Sequence, residues 1–259
     1  MGIVNVTPDS FSDAGQFLDA GAAVDHGLAL AAEGADLVDV GGESTRPGAA
    51  GVDEEEELRR VLGVCERLAA AGLRVSIDTS KLGVARAALD AGAGLVNDVS
   101  AFRFAPEMAG LVADRDVDCC LMHMLGEPRT MQADPRYEDV VSEVKAFLEE
   151  RLAFAVGEGV AEERVWLDPG IGFGKTVAHN LELLRRLDEI VAIGRPVVVG
   201  TSRKSFLGVL TGGRPEDERL PGTIATNVLA YERGARVFRV HDVAPVADAL
   251  AVAAATVSP

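Results

Sequence analysis

The chain has 259 residues, of which 48% are hydrophobic and 25% are charged, the proportions of an ordinary globular protein. Its formal net charge of −16 opposes binding to phosphate backbones, so we expect no nucleic-acid partner. Residues 220–231 form the longest stretch without a charged side chain, which is too short to span a bilayer, so we expect no membrane partner. Three cysteines, at 65, 119 and 120, cannot form a paired disulfide framework and predict a reducing, cytoplasmic setting.

Short apolar runs alternate along the chain with long runs rich in Ala, Leu and Glu, a pattern typical of βα units and a parallel sheet. The eight predicted strands are residues 3–6, 37–40, 74–78, 95–97, 118–123, 165–168, 196–200 and 237–240. A helical pattern fills each gap, and no linker or change of composition divides the chain. We therefore predict a single domain over residues 1–259 of the α/β class, a (β/α)8 TIM barrel rather than a doubly wound sheet.

The helix predicted over residues 53–71 has a clear start signal. Asp53 can cap its first turn, and the acidic run 54–57 places negative charge near the positive end of the helix dipole. We expect this acidic run to form a solvated first turn.

Polar residues end nearly every predicted strand, although a strand buried on both faces should be apolar. They are Asn5, Asp39, Asp78, Asn97 with Asp98, His123, Asp168, residues 202–204, and Arg239 with His241. Barrel active sites lie at the carboxyl ends of the strands. Polar residues at all eight ends therefore predict one polar pocket.

The segment 168–176 contains glycines at 170, 172 and 174, a spacing that matches neither a P-loop nor a dinucleotide-binding fingerprint. Two interpretations stay open for it. The glycines can form a tight turn between a strand and a helix, or they can bring backbone N–H groups and the ring of Phe173 to the rim of the barrel.

Cationic side chains follow the second, seventh and eighth strands of this otherwise acidic chain, and the last two are the usual phosphate side of a barrel. They are Arg46, Arg203, Lys204, Arg239 and His241. The histidines show no spacing typical of a zinc site. The Asp and Asn groups at the strand ends, together with one lysine and this cationic cluster, predict a pocket for a polar heteroaromatic molecule that carries phosphate.

Seven motifs, in chain order, resemble those of the dihydropteroate synthase family. They are residues 1–13, 41–48, 77–80, 97–98, 168–175, 202–205 and 239–242. The resemblance implies a (β/α)8 barrel and a transferase of folate biosynthesis. Its substrates would be 6-hydroxymethyl-7,8-dihydropterin diphosphate and 4-aminobenzoate, and its products 7,8-dihydropteroate and diphosphate.

The resemblance also implies a role for individual residues. The pterin-binding positions are Asp78, Asn97, Asp168 and Lys204, of which Asp78, Asp168 and Lys204 are the catalytic candidates. The diphosphate-binding positions are Asn5, Thr45, Arg46, Arg239 and His241, with Asn5 also the ligand of a Mg2+ cofactor. The wall that holds 4-aminobenzoate, or sulfonamides in its place, is Phe173, Lys204 and Ser205.

The same resemblance implies a homodimer packed through outer helices, and two loops, residues 7–16 and 43–51, that close over the site. Two alternatives remain open. A pterin-binding methyltransferase domain shares the barrel and part of the pterin pocket but does not require the aminobenzoate wall or the pair Arg239 and His241. A catalytically inactive pterin-binding paralogue would keep the motifs without turnover.

Overall fold

The computed structural model describes residues 1–7, 20–45, 48–49 and 51–257. Its strands are β1 (Gly2–Asn5), β2 (Val38–Gly41), β3 (Val75–Asp78), β4 (Leu95–Asp98), β5 (Asp118–Met122), β6 (Val165–Asp168), β7 (Val198–Val199) and β8 (Val237–Phe238). Its α-helices are α1 (Ala20–Ala32), α2 (Glu54–Ala70), α3 (Leu82–Asp90), α4 (Met108–Arg115), α5 (Val140–Gly157), α6 (Val177–Arg185), α7 (Leu187–Val191), α8 (Ser205–Leu210), α9 (Leu220–Glu232) and α10 (Val243–Val257). Every strand is followed by at least one helix, as the alternating sequence pattern predicts.

The strands form a parallel barrel in chain order. Strands β1 to β6 make one six-stranded sheet, and β7 pairs with β8. At one seam Leu167 N donates to Pro196 O at 2.9 Å, and at the other Ile3 N donates to Val240 O at 3.0 Å. Isolated parallel bridges accompany these bonds, between Leu167 and Val197 and between Gly2 and Val240. Together they join β6 to the segment that leads into β7, and the segment after β8 to β1. The predicted α/β fold class, a (β/α)8 barrel, is confirmed.

All eight predicted strands are present, and only their ends differ. The seventh was predicted over residues 196–200, whereas β7 contains two residues, Val198 and Val199. Pro196 has no N–H to donate to a ladder, which limits the strand on that side. The difference does not move the polar residues that follow the strand.

Side chains on the inner face of the barrel fall into an apolar layer and a polar layer. Leu37, Leu95 and Trp166 belong to one buried cluster with Met1, Cys120 and Val198. Residues two apart on a strand point to the same face. Asp39, Asn97 and Asp168 therefore share the inner face with these three residues, one level nearer the carboxyl ends. The apolar cluster fills the floor, and the polar layer faces the mouth.

The start of α2 forms as predicted, but one acidic residue is not solvated. Asp53 Oδ1 accepts a hydrogen bond from Glu56 N at 2.8 Å, which caps the helix. Glu57 is fully buried and forms an ion pair with Lys81. The expectation of a wholly solvated acidic turn was wrong for Glu57 because Lys81, from the loop after β3, supplies its counter-charge.

No helix in the described part of the chain is both long and apolar enough to cross a membrane.

Candidate active site

A hydrogen-bonded cluster near the mouth of the barrel links side chains from β2, β3 and β4 with one that follows β8. Asp39 Oδ2 accepts from Asn97 Nδ2 at 3.0 Å and from Arg239 Nε at 2.6 Å. The same guanidinium donates from Nη2 to Asp78 Oδ2 at 2.8 Å. The structure thus brings together Asp78, Asn97 and Arg239, which the sequence predicts to be site residues, and adds Asp39. Sequence reasoning recognised Asp39 only as a polar strand end.

Burial sets the charge states of this cluster. Burial, together with the nearby Asp39 and Glu57 carboxylates, raises the pKa of Asp78 to about 7, although Arg239 acts to lower it. Burial alone would lower the pKa of Arg239, but Asp39 and Asp78 outweigh it and raise that pKa above its usual range. Arg239 therefore stays charged, whereas Asp78 changes protonation state near neutral pH.

Asp168 lies at the end of β6, where its side chain folds back on the loop that follows. Its Oδ1 accepts from Gly170 N at 2.6 Å, and burial raises its pKa. The other oxygen, Oδ2, makes no hydrogen bond to any residue that the structure describes, so it is available to a ligand. Gly170 has φ +65°, and a Cβ there would lie 1.8 Å from His123 O. Only glycine therefore permits this turn.

Lys204 and Phe173 meet on the wall of the site. Lys204 Nζ donates to Ile171 O at 2.5 Å and lies 4.0 Å from the centroid of the Phe173 ring. Burial, together with Arg239, lowers the pKa of Lys204 to about 7, although Asp168 and Asp78 act to raise it. These charges therefore act on one another within one site. Ser205 is the first residue of α8 and is exposed.

A buried pair that sequence reasoning did not assign braces the glycine loop. Lys175 Nζ lies 2.9 Å from His123 Nδ1 and donates to Phe173 O at 3.1 Å. Burial lowers the pKa of His123 to about 2 and that of Lys175 well below its usual range. His123 is therefore a neutral acceptor. Tyr137 also donates to Gly174 O at 2.8 Å, so the loop carrying Phe173 is held from several sides.

The predicted cationic cluster carries less net charge than its residue types indicate. Arg203 donates to both oxygens of Asp242, from Nε at 2.9 Å and Nη2 at 2.5 Å, and Arg239 is bound by two carboxylates. His241 Nδ1 lies 2.9 Å from Ser202 Oγ. Arg46 lies outside the described residues. Carboxylates therefore offset the positive charge of both Arg203 and Arg239.

The loop after β2 is anchored at its base. Lys81 Nζ donates to both Glu43 Oε2 and Glu57 Oε2, and Arg60 Nη1 donates to Gly42 O at 2.8 Å. Thr45, two residues after Glu43, is half-buried. Asn5, at the end of β1, pairs in register with Gly41, the last residue of β2, so Asn5 lies beside the start of this loop.

Comparison with known proteins gives the family. The family model described as "Pterin binding enzyme" matches residues 1–241. The dihydropteroate synthase of Mycobacterium leprae (strain TN) is 50% identical over 262 residues, which cover 98% of this chain and 92% of that relative. A structure of Xanthomonas albilineans dihydropteroate synthase with 4-aminobenzoic acid superposes with a TM-score of 0.94 and 52% identity, covering 100% and 93% of the two chains. The X. albilineans enzyme in complex with 7,8-dihydropteroate gives a TM-score of 0.90 and 49% identity, covering 100% and 94%.

The chain therefore belongs to the pterin-binding enzyme family, as the motifs of its sequence predict. Within that family it is a dihydropteroate synthase, a transferase of folate biosynthesis.

Proposed function

We propose that the polar layer at the mouth of the barrel binds 6-hydroxymethyl-7,8-dihydropterin diphosphate and that its methylene carbon is joined there to the amine of 4-aminobenzoate. The observation that carries this proposal is the convergence of Asp78, Asn97, Asp168 and Lys204 on one site, with acceptor oxygens that bind no described residue. The X. albilineans structures with 4-aminobenzoic acid and with 7,8-dihydropteroate support the choice of substrates.

The pterin ring is a planar array of N–H and amino donors, and the site supplies acceptors for them. Asp168 Oδ2 faces the pocket because Oδ1 is held by Gly170 N. The Asn97 amide nitrogen is bound to Asp39, which leaves its carbonyl oxygen for a ring N–H. Asp78 offers the oxygen that Arg239 does not bind. Charged acceptors in a buried site also stabilise positive charge that develops on the ring.

The diphosphate end of the substrate is assigned to Asn5, Thr45, Arg46, Arg239 and His241. Within the described residues, Arg239 Nη1 makes no hydrogen bond, whereas Nε and Nη2 are bound by carboxylates. We assign Nη1 to an oxygen of the diphosphate. The loops 7–16 and 43–51 fall partly outside the described residues, and their closure stays a prediction.

Mg2+ remains the proposed cofactor, with Asn5 as its protein ligand. The described residues contain no group of three or more His, Cys, Asp or Glu that could hold a metal ion. Asn5 would supply an amide oxygen to the ion, and Mg2+ commonly takes further ligands from substrate phosphates and water. When bound, the ion would offset negative charge on the diphosphate.

The proposed reaction breaks the C–O bond to the diphosphate before the new C–N bond forms. The bonding electron pair leaves with the diphosphate, and the pterin ring delocalises the resulting positive charge, which Asp78 and Asp168 stabilise. The amine of 4-aminobenzoate then attacks the methylene carbon and loses a proton to solvent. Phe173, Lys204 and Ser205 form the wall that holds the aminobenzoate ring and its carboxylate.

We also propose a homodimer packed through outer helices. Large apolar side chains on α9 and α10 support it, since Leu229 is 45% exposed and Val252 is 69% exposed, and the two helices pack together. Light scattering on the purified chain tests the proposal, and a monomer would contradict it. A cytoplasmic location is proposed because Cys65, Cys119 and Cys120 are free thiols.

The proposed reaction is tested by following diphosphate release and 7,8-dihydropteroate formation with and without 4-aminobenzoate. A synthase forms both products in equal amounts when aminobenzoate and Mg2+ are present. An inactive pterin-binding paralogue binds the pterin substrate but releases no diphosphate. A methyltransferase domain moves a methyl group to a corrinoid and leaves the diphosphate intact. Either of these results would contradict the proposal.

A further inference from the structure

Asp39 is fully buried, whereas Asn97 and Asp168 of the proposed site each keep a small exposed surface. It pairs in register with Ser76, whereas Asp78 pairs with Gly41 and with Asn97. In the register of the strands, Asp39 thus lies two residues before Gly41, the residue of β2 that pairs with Asp78. A side chain with no exposed surface does not contact a ligand in the mouth of the barrel.

One oxygen of Asp39 nevertheless holds two residues of the proposed site. Oδ2 accepts from Arg239 Nε at 2.6 Å and from Asn97 Nδ2 at 3.0 Å, while Oδ1 has no partner among the described residues. Arg239 follows β8 and Asn97 lies in β4, so the two residues are far apart in the chain. Among the described residues, Asp39 is the side chain that hydrogen-bonds to both.

We propose that Asp39 is a positioning residue that fixes the Arg239 guanidinium and the Asn97 amide together, and thereby aligns the diphosphate and pterin ends of one substrate. This inference rests on the proposed function of Asn97 and Arg239. By binding Nε, Asp39 holds the guanidinium so that Nη1 points away from both carboxylates. By binding Nδ2, it presents the Asn97 carbonyl oxygen to the pterin ring.

Loss of the Asp39 charge changes the partners of both residues. Arg239 then has Asp78 as its only described carboxylate partner, so the guanidinium moves onto an acceptor that the pterin needs. Asn97 loses the contact that fixes its amide. The charged groups that act on Asp78 are Arg239, Asp39, Glu57 and Asp98, and removing one negative neighbour lowers the pKa of Asp78 from its value of about 7.

The test is Asp39→Asn, which keeps the size of the side chain and removes its charge. We expect kcat/KM for the pterin substrate to fall at least tenfold, while KM for 4-aminobenzoate changes less than about threefold. Calorimetric titration with 6-hydroxymethylpterin should show its pH midpoint shifted below that of the wild type. Ser76→Ala is the matched control, because Ser76 is buried in register with Asp39 and its Oγ has no partner in the described part of the chain. The control should leave all three quantities unchanged.

A folded Asp39→Asn variant with wild-type kcat/KM and an unshifted pH midpoint would overturn the proposal. If the Asp39→Asn variant does not fold, the test is NMR of the Arg239 Nε–H in the wild-type protein. The signal is assigned by its loss in Arg239→Lys. The proposal expects slow exchange of this proton with and without 6-hydroxymethylpterin, and fast exchange in the bound state would overturn it. If the wild-type protein binds the pterin but shows no turnover, that result contradicts the proposed function. The calorimetric comparison of wild type with Asp39→Asn then tests the role of Asp39.

Discussion

Asp168→Asn should weaken pterin binding more than a simple loss of charge implies. Gly170 N donates to Oδ1 at 2.6 Å, so the asparagine must keep its oxygen on that side. Its amide nitrogen then faces the pocket in place of Oδ2 and presents a donor to the donors of the pterin ring. A hydrogen bond to a charged acceptor contributes roughly 1.5–3 kcal/mol, which corresponds to about 10- to 150-fold in affinity.

The assay is calorimetric titration of 6-hydroxymethylpterin into wild type and variant at one pH, with thermal unfolding to confirm the fold. Asp118→Asn provides the matched control because Asp118 begins β5 at the other end of the barrel and pairs with Arg74. We expect a loss of at least tenfold for Asp168→Asn and none for the control. Unchanged affinity in a folded Asp168→Asn variant, or an equal loss in both variants, would refute the assignment of Asp168.

Three further predictions follow from the charges of the site. Lys204→Ala should lose most turnover while melting within a few degrees of wild type, and full activity would place Lys204 outside the chemistry. Plotted against pH, kcat/KM should rise as Asp78 ionises and fall as Lys204 loses its proton, since both pKa values are about 7; a flat profile from about pH 5 to about pH 9 contradicts this. Aminobenzoate should bind about 5–150-fold more tightly once pterin, diphosphate and Mg2+ are present, and Arg239→Ala should reduce that coupling; titrations that give equal affinity in all conditions refute the ordered mechanism.

The position of the site could be predicted because it depends on local pattern alone. Each short apolar run predicts a buried strand, and its last polar residue marks the carboxyl end, where all strands of a parallel barrel meet. Asp78, Asn97 and Arg239 were brought together in this way without knowledge of any contact.

The pairing of charges could not be predicted, because it joins residues far apart in the chain. Arg239 and Asp39 are 200 positions apart, and Lys175 and His123 are 52 apart. A sequence pattern indicates which face a side chain occupies but not which neighbour lies within hydrogen-bonding distance. The predicted cationic cluster therefore omitted the carboxylates that bind Arg203 and Arg239. The predicted solvated first turn of α2 likewise omitted Lys81, the partner of Glu57.

The central claim is that one substrate spans the mouth of the barrel, with its pterin on Asp168 and Asn97 and its diphosphate on Arg239. A crystal structure of the chain with 6-hydroxymethylpterin diphosphate and Mg2+ tests this most directly. The account predicts ring N–H groups within hydrogen-bonding distance of Asp168 Oδ2 and Asn97 Oδ1, and a diphosphate oxygen at Arg239 Nη1. A pterin ring bound elsewhere would contradict the account. So would a bound diphosphate that makes no contact with Arg239, whose guanidinium would then bind only Asp39 and Asp78.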